Sequence, residues 1–405
     1  MKKNIKNAVC TIASKNYLHY ARTLRDSFLK YNPDIDFFIL FVDEINDDFD
    51  IKKESCEIIQ ACDLGIENFN QIAFKYNIVE FNTSIKPYFL RYLQTDRGYK
   101  NVMYLDPDIE VFQSLDFIFN LLDKHSMVVT PHITKPIEDN LKPKENDFLR
   151  SGVFNLGFIA VGNSKESIEF LTWWKLRLLK FSYNEPRNGL FTDQKWTNFI
   201  PCLFDNYYIL KDEGCNVAYW NFHQRILSQK DGKYFINNTP LKFFHFSGLN
   251  VKHDTEISKY QNRYDLKNRK DLYGIFTDYR KKLINNGYED AQKFSYTYGV
   301  YTNGVKVSNL ARKLFASNLE MFENENPFDY NSNFYKWAMK KNLIDNSEKL
   351  QTFTTMNYNA QDRRLKVIHF ILKLTLKIVG VHKYEALMKY FSYISILRNQ
   401  KEVFK

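Results

Sequence analysis

Along the first half of the chain, short apolar runs alternate with longer polar stretches of helical periodicity. Residues 8–12, 37–42, 56–60, 102–105 and 127–130 are apolar runs of strand length, and segments 18–31 and 86–94 between them carry apolar positions at helical spacing. Strands joined by crossover helices predict an α/β fold with a mixed, mainly parallel, Rossmann-like sheet and helices on both faces. Residues 152–161 follow as a strand interrupted by Gly152 and Gly157, where a backbone or a ligand can approach closely. The amphipathic segment 165–180 carries Trp173 and Trp174 and reads as a packing helix, and 241–246 reads as the last strand of this unit.

The pattern then changes. Residues 249–270 are polar and rich in Lys, Asn and Asp, as a connection would be, and helical periodicity returns over 273–285 and 308–322. Between these, the aromatic run 296–301 followed by Asn303-Gly304 predicts a small hairpin. Asn326-Pro327-Phe328 breaks the chain. The expected division is a first domain over 1–250, a linker over 251–270, a mostly helical module over 271–350 and a tail over 351–405. In the tail, Lys366, Lys373 and Lys377 fall near one helical face and leave Val367, Ile368, Ile371, Leu372, Leu374 and Ile378 as a broad apolar surface. That pattern fits an interfacial membrane helix, and equally a helix docked on the protein with its lysines in solvent.

Composition narrows the class. At 405 residues, 44% hydrophobic and 26% charged, the chain is globular and long enough to bury a substantial core. No run reaches the roughly 18 consecutive apolar residues of a membrane span. Met1-Lys2-Lys3 looks like a signal n-region, but the apolar run 8–13 is too short to follow it as an h-region, so a cytoplasmic protein is expected. Five scattered cysteines (Cys10, Cys56, Cys62, Cys202 and Cys215) show no C-x2-C spacing, which argues against a disulfide framework and a zinc site. The net charge of +10 asks for an anionic partner. Residues 363–405 hold ten Lys or Arg against Glu385 and Glu402, however, so +8 of that charge belongs to the tail. No nucleic-acid-binding module accompanies it, and nucleic acid is not an expected partner.

The most informative local feature is Asp106-Pro107-Asp108, at the end of the apolar run 101–105. Two carboxylates at i and i+2 closing a buried strand point to one side, where they can hold a divalent ion against a pyrophosphate. Asp34/Asp36 and Asp48/Asp50 repeat the triplet elsewhere. Asp106/Asp108 alone sits at the carboxyl end of an apolar strand, where an α/β sheet delivers residues to a ligand crevice. His245, at the end of the apolar run before Gly248, is the candidate nitrogen ligand. A nitrogen would favour Mn2+ over Mg2+. The same position also suits a buried histidine bonded to backbone.

These residues resemble the GT-A glycosyltransferases, most closely the family 8-like bacterial lipopolysaccharide galactosyl- and glucosyltransferases and the glycogenins, over about residues 7–250. The segment 12–17, Ile-Ala-Ser-Lys-Asn-Tyr, is similar to the nucleoside-binding end of the family's first strand, implying roles for Ala13, Asn16 and Tyr17. Tyr104-Leu105-Asp106-Pro107-Asp108 resembles the family's metal motif and His245-Phe246-Ser247-Gly248 its closing one, which implies Asp106, Asp108 and His245 as ligands of Mn2+ or Mg2+. By the same likeness Tyr104, Leu105, Asp106 and Gly248 line the nucleotide sugar. Lys86 takes a place similar to that of a basic residue facing the diphosphate, three residues further upstream. Phe154-Asn155-Leu156-Gly157 resembles the segment whose Asn faces the donor sugar, and Thr192-Asp193-Gln194 the pair lining the reaction centre. Asp193 also suits an N-cap, a compatible role. Ser14-Lys15 replaces the family's acidic pair at the base.

The resemblance implies a metal-dependent hexosyltransferase that carries sugar from a nucleotide-diphosphate donor, a UDP-sugar, to a bacterial surface glycan or glycolipid, with retention of configuration. Its expected setting is the cytoplasm, with the tail touching anionic lipid on the inner face of the plasma membrane. A nucleotidyltransferase is the enzymatic rival, although the segment 13–17 has no glycine to wrap a triphosphate. A non-catalytic glycan-binding scaffold is the other.

Overall fold

The structure is a computed structural model that describes residues 6–45, 50–51, 54–344 and 363–404. The signal-like start, Asp48, positions 345–350 of the expected module and 351–362 of the expected tail lie outside the described residues.

The main-sheet strands are β1 (Asn7–Ala13), β2 (Asp36–Phe41), β3 (Glu57–Gln60), β4 (Asn101–Leu105), β6 (Met127–Pro131), β7 (Phe154–Val161) and β10 (Tyr207–Ile209). Outside it, β5 (Ile109–Val111) pairs with β14 (Phe243–His245), β8 (Asn184–Glu185) with β9 (Leu190–Phe191), and β11 (Leu227–Lys230), β12 (Lys233–Ile236) and β13 (Thr239–Pro240) form a small sheet. The seven strands lie in the order β10-β6-β7-β4-β1-β2-β3. β1 runs parallel to β2 and β4, β2 to β3, and β10 to β6, while β7 is antiparallel to both of its neighbours. The sheet is thus mixed and mainly parallel, as the alternation of runs predicts. Every residue of β4 and β7 is buried, which is why β4 reads as an apolar run from Val102 to Leu105.

Helices cover the sheet for reasons visible in the sequence. Helix Leu18–Tyr31 buries Leu24 and Phe28, whose ring meets Phe37 of β2 at 5.8 Å. Helix Lys86–Thr95 opens with Pro87 near its first turn, where the missing N–H costs nothing. Helix Lys165–Phe181 is capped by Ser164, whose hydroxyl accepts from Ser167 N at 3.1 Å. The antiparallel β7 matters most for the site. Because it enters the sheet where β4 leaves it, Asn155 and Gly157 lie beside the carboxyl end of β4.

Contacts divide the chain into Met1–Ile72 with Ile78–Tyr298, and Ala73–Asn77 with Gly299–Lys405. This differs from the division at 251–270. That stretch is packed rather than free: Ile257 and Leu266 are buried, and Arg263 pairs with Asp139 at 2.7 Å while donating to the carbonyls of Leu141 and Pro143. Helix Tyr273–Asn285 also belongs to the first unit. Tyr279 stacks on Phe246 at 3.7 Å, and Arg280 donates to the carbonyls of His253 and Glu256 at 2.8 Å. A polar composition here marks satisfied turns, not a linker. The expected strand 241–246 is shorter and lies off the main sheet, as β14 between β5 and the 214–217 segment.

The second unit gathers Phe315, Phe328, Phe334 and Tyr301 around Phe74 at 4.9–5.8 Å. Arg312 donates to the carbonyls of Phe74 and Tyr76 at 2.8 and 2.9 Å. Its described secondary structure is mostly helical: Asn309–Ser317, Asn333–Lys340, Arg363–Val379 and Val381–Ile394. Asn303-Gly304 does make a turn, with Tyr301 N donating to Val305 O at 2.8 Å, but a single bridge between Val300 and Lys306 replaces the expected hairpin. Among the described residues no helix is long and apolar enough to cross a membrane.

Candidate active site

β4 ends at Leu105, and the chain turns at once: Ile109 N donates to Asp106 O at 3.1 Å, with Pro107 at the second position of the turn, which its fixed φ suits. Asp106 and Asp108 therefore converge through a turn, not through strand alternation. Asp106 N donates to Gly157 O at 2.7 Å, tying the turn to β7. On the other side β14 pairs with β5 so that His245 lies opposite Ile109, and Phe246 N donates to Asp108 O at 2.9 Å. His245 Nε2 consequently sits 2.9 Å from Asp108 Oδ1 and 3.7 Å from Asp106 Oδ2. One ligand atom from each of these three residues lies within 4.8 Å of the others. Two hard oxygen donors and an imidazole nitrogen, fixed by backbone on both sides, suit a divalent cation.

The electrostatics follow from this crowding. Burial raises the Asp106 carboxyl above its ordinary range and Asp108 adds to the rise, against the pull of Lys86 and His245. Burial alone would push the His245 imidazole down, but Asp108, by charge and hydrogen bond, and Asp106 turn its net shift upward. Tyr104 Oη donates to Asp106 Oδ1 at 2.7 Å, orienting that carboxylate.

Lys86 is buried and fully engaged within the protein. Its ammonium lies 2.6 Å from Asp193 Oδ2, donates to Leu156 O at 2.8 Å and sits 4.1 Å above the Tyr104 ring. Both partners of the ion pair are buried. Asp193 occupies the N-cap position of the turn Gln194–Phe199 but makes no capping bond; instead Thr192 Oγ1 donates to its Oδ1 at 3.1 Å, and its carbonyl accepts from Trp174 Nε1. Gln194 is held by backbone at both ends, Leu156 N donating to its Oε1 at 3.2 Å and its Nε2 donating to Ser151 O at 3.0 Å. Asn155 Nδ2 reaches both Gln194 Oε1 and His132 Nε2 at 3.4 Å.

At the carboxyl end of β1, Val42 N donates to Ala13 O and Ser14 Oγ to Asn16 Oδ1 at 2.6 Å. Tyr17 is 43% exposed and stacks on Tyr20 at 5.0 Å. Its phenol is held above the usual range, chiefly by desolvation, with Asp108, Tyr260 and Asp106 adding to the rise. Gly248 has φ 73°, and a Cβ there would lie 2.6 Å from the Tyr260 ring. Ser14-Lys15 is accompanied by Asp43, whose carboxylate accepts from Lys15 N and Thr297 N at 2.7 Å each.

Three buried residues enter that the sequence reading passed over. Asn216 lies between His245 and Asn155, its Oδ1 3.4 Å from His245 Nδ1 and its Nδ2 donating to Asn155 Oδ1 at 3.2 Å. His132, pushed down to about 4 chiefly by burial, stays neutral and stacks on Phe148. Trp220 stands edge-on to His245 at 5.1 Å. A polar Asn inside the otherwise apolar run 215–218 was the one available signal.

No family model matches the chain. It is 29% identical over 260 residues to the uncharacterized protein YfnF of Bacillus subtilis (strain 168), covering 62% of this chain and 85% of that one. Among solved structures it is similar to the glycosyltransferase GlyE of Streptococcus pneumoniae TIGR4, with TM-score 0.42, 16% identity and coverage of 77% and 73% of the two chains. It is also similar to the galactosyltransferase LgtC in complex with donor and acceptor sugar analogs, with TM-score 0.41, 15% identity and coverage of 69% and 95%. At such low scores the chemistry has to be read from the site's own residues.

Proposed function

We propose that this chain is a metal-dependent GT-A glycosyltransferase of the family 8 type, moving a hexose-type sugar from a UDP-sugar to a bacterial surface glycan or glycolipid with retention of configuration. The observation that carries the reading is the convergence of Asp106, Asp108 and His245 at the carboxyl end of the sheet, beside the buried amides of Asn155 and Gln194 and the Asp193 carboxylate. Asp106, Asp108 and His245 would hold Mn2+ or Mg2+, which supplies positive charge against the departing diphosphate. Tyr104 keeps Asp106 turned toward that position. Asn155 and Gln194, locked to β7 and to the 151 carbonyl, present fixed polar groups to the donor sugar. Lys86 neutralises Asp193 and keeps it in place beneath them. Tyr17, Asn16, Ala13 and Gly248 line the nucleoside end.

Hydrolysis of a panel of UDP-, GDP-, CMP- and dTDP-sugars with Mn2+, Mg2+ or EDTA tests this reading. Metal-dependent release of one nucleotide is expected, falling at least about 100-fold in Asp108→Ala, the order of loss seen when one group stabilising a developing anion is removed. Turnover undiminished by EDTA and by Asp108→Ala would reject it.

The membrane partner belongs to the same proposal. Helix Arg363–Val379 exposes Val367, Ile368, Phe370, Ile371, Leu374 and Ile378 among its lysines, and Val381, Tyr390, Phe391 and Tyr393 of the next helix are exposed as well. Apolar side chains set among basic ones match an anionic lipid surface. The full chain is expected to float with phosphatidylserine vesicles at low salt and to be released as salt is raised. Sedimentation away from such vesicles at low salt removes this partner.

A further inference from the structure

We propose that Asn216 is a positioning residue that fixes the tautomer of His245, and thereby ties the metal ligand to the amides at the donor sugar; this rests on the metal-site reading above. The assignment follows from hydrogen-bond directions that backbone groups dictate. Leu156 N can only donate and Ser151 O can only accept, so Gln194 presents Oε1 to the first and Nε2 to the second. The nitrogen of Asn155 must then face Gln194 Oε1. Val153 O, which can only accept, fixes a second anchor: the proton of neutral His132 sits on Nδ1, leaving Nε2 to accept from the same Asn155 nitrogen. Both anchors turn Asn155 Oδ1 toward Asn216, which donates to it through Nδ2. Asn216 Oδ1 is therefore the atom facing His245 Nδ1, and it accepts that ring N–H. With that ring N–H committed to Asn216, Nε2, the nitrogen that faces Asp106 and Asp108, is the one left to give its lone pair to a cation once its own bond to Asp108 is surrendered.

Asn216 is built to hold this position. It is fully buried with φ 52°, a left-handed conformation that Asn tolerates better than most residues. Asn221 Nδ2 donates to its carbonyl at 2.9 Å. The next residue, Val217, donates to Phe243 O and accepts from His245 N, so the backbone beside Asn216 is laced to the strand that carries the histidine. The result is one directional chain from Gln194 through Asn155 and Asn216 to His245. An outer partner of this kind orients a ligating imidazole and raises its basicity.

Mn2+ titrations followed by electron paramagnetic resonance on the full chain separate the alternatives. Asn216→Gly keeps the left-handed backbone and removes the amide. It is expected to weaken Mn2+ binding by about 10–100-fold, whereas Asn216→Asp, which keeps the acceptor for the Nδ1 proton while losing the donor to Asn155, should bind more tightly than the glycine variant. Wild-type affinity in Asn216→Gly, with unchanged circular dichroism, overturns the relay and leaves the metal site standing. Failure of the wild type to bind Mn2+ overturns both. Should Asn216→Gly not fold, long-range proton–nitrogen spectra of 15N-histidine-labelled wild type in Mg2+, assigned with His245→Gln, decide directly: a proton on Nδ1 of His245 supports the relay, and one on Nε2 overturns it.

Discussion

Gly157→Ala is expected to fold and yet lose divalent-cation binding. The backbone at Gly157 is not among the left-handed positions, so it would accept an alanine; the space would not. A Cβ built there lies 2.7 Å from His245 Nδ1 and 2.9 Å from Asn155 Oδ1, and it collides outright with the imidazole Cε1. The strand cannot retreat, because β7 is fully buried between β4 and β6 and the Gly157 carbonyl holds the Asp106 N–H. Nor can the ring easily slide away, with Trp220 edge-on to it. The imidazole must swing out, leaving Asn216 and withdrawing Nε2 from Asp108. Overpacking of this kind costs about 1–3 kcal/mol, well within what a large core absorbs. Disturbing an outer partner of a metal ligand costs about 10–100-fold in affinity, and displacing the ligand itself should cost at least that. Isothermal titration with Mn2+ beside a thermal melt reads both effects. An alanine variant that binds Mn2+ as the wild type does would mean that His245 is not needed to hold the ion.

Much of this was legible in the sequence, and the part that was not has a physical reason. Apolar runs located the central strands because a sheet covered on both faces needs them, and Asp106-Pro107-Asp108 stood out because it closes one. Turn chemistry marked a reversal at Asn303-Gly304. What sequence periodicity cannot carry is which distant segments meet. His132, Asn155, Asn216 and His245 come from four separate stretches, and their order appears only once β7 reverses and β14 pairs with β5. Polar composition misled at 251–270, where charged and amide side chains satisfy turns against 139–143. Likewise the sequence singles out both Lys86 and Asp193 but not their pairing, since they lie more than a hundred residues apart.

That pair supports the second large expectation: Lys86→Met should destabilise the first unit by about 3–5 kcal/mol, the usual cost of leaving one charge of a buried pair uncompensated. The side chains of Lys86 and Asp193 are 2% and 3% exposed, so water cannot take over the lost contact. Methionine fills much the same volume, which confines the loss to the ammonium and its contacts with Asp193, Leu156 O and the Tyr104 ring. Trp173, Trp174, Trp196 and Trp220 all lie in this unit, and Trp174 bonds to the Asp193 carbonyl, so urea unfolding followed by tryptophan fluorescence reports on the right place. In Lys86→Met/Asp193→Leu both charges are gone, and the pair should prove strongly coupled: the double variant loses less than the sum of its singles. Activity should vanish in all three if Asp193 lines the reaction centre, so stability and turnover separate the pair's two roles. A loss below about 1 kcal/mol in Lys86→Met would have the opposite meaning, because exposed pairs contribute no more than that. The ammonium would then be solvated in the free protein and available to face a diphosphate, the role that the likeness to GT-A enzymes assigns to it.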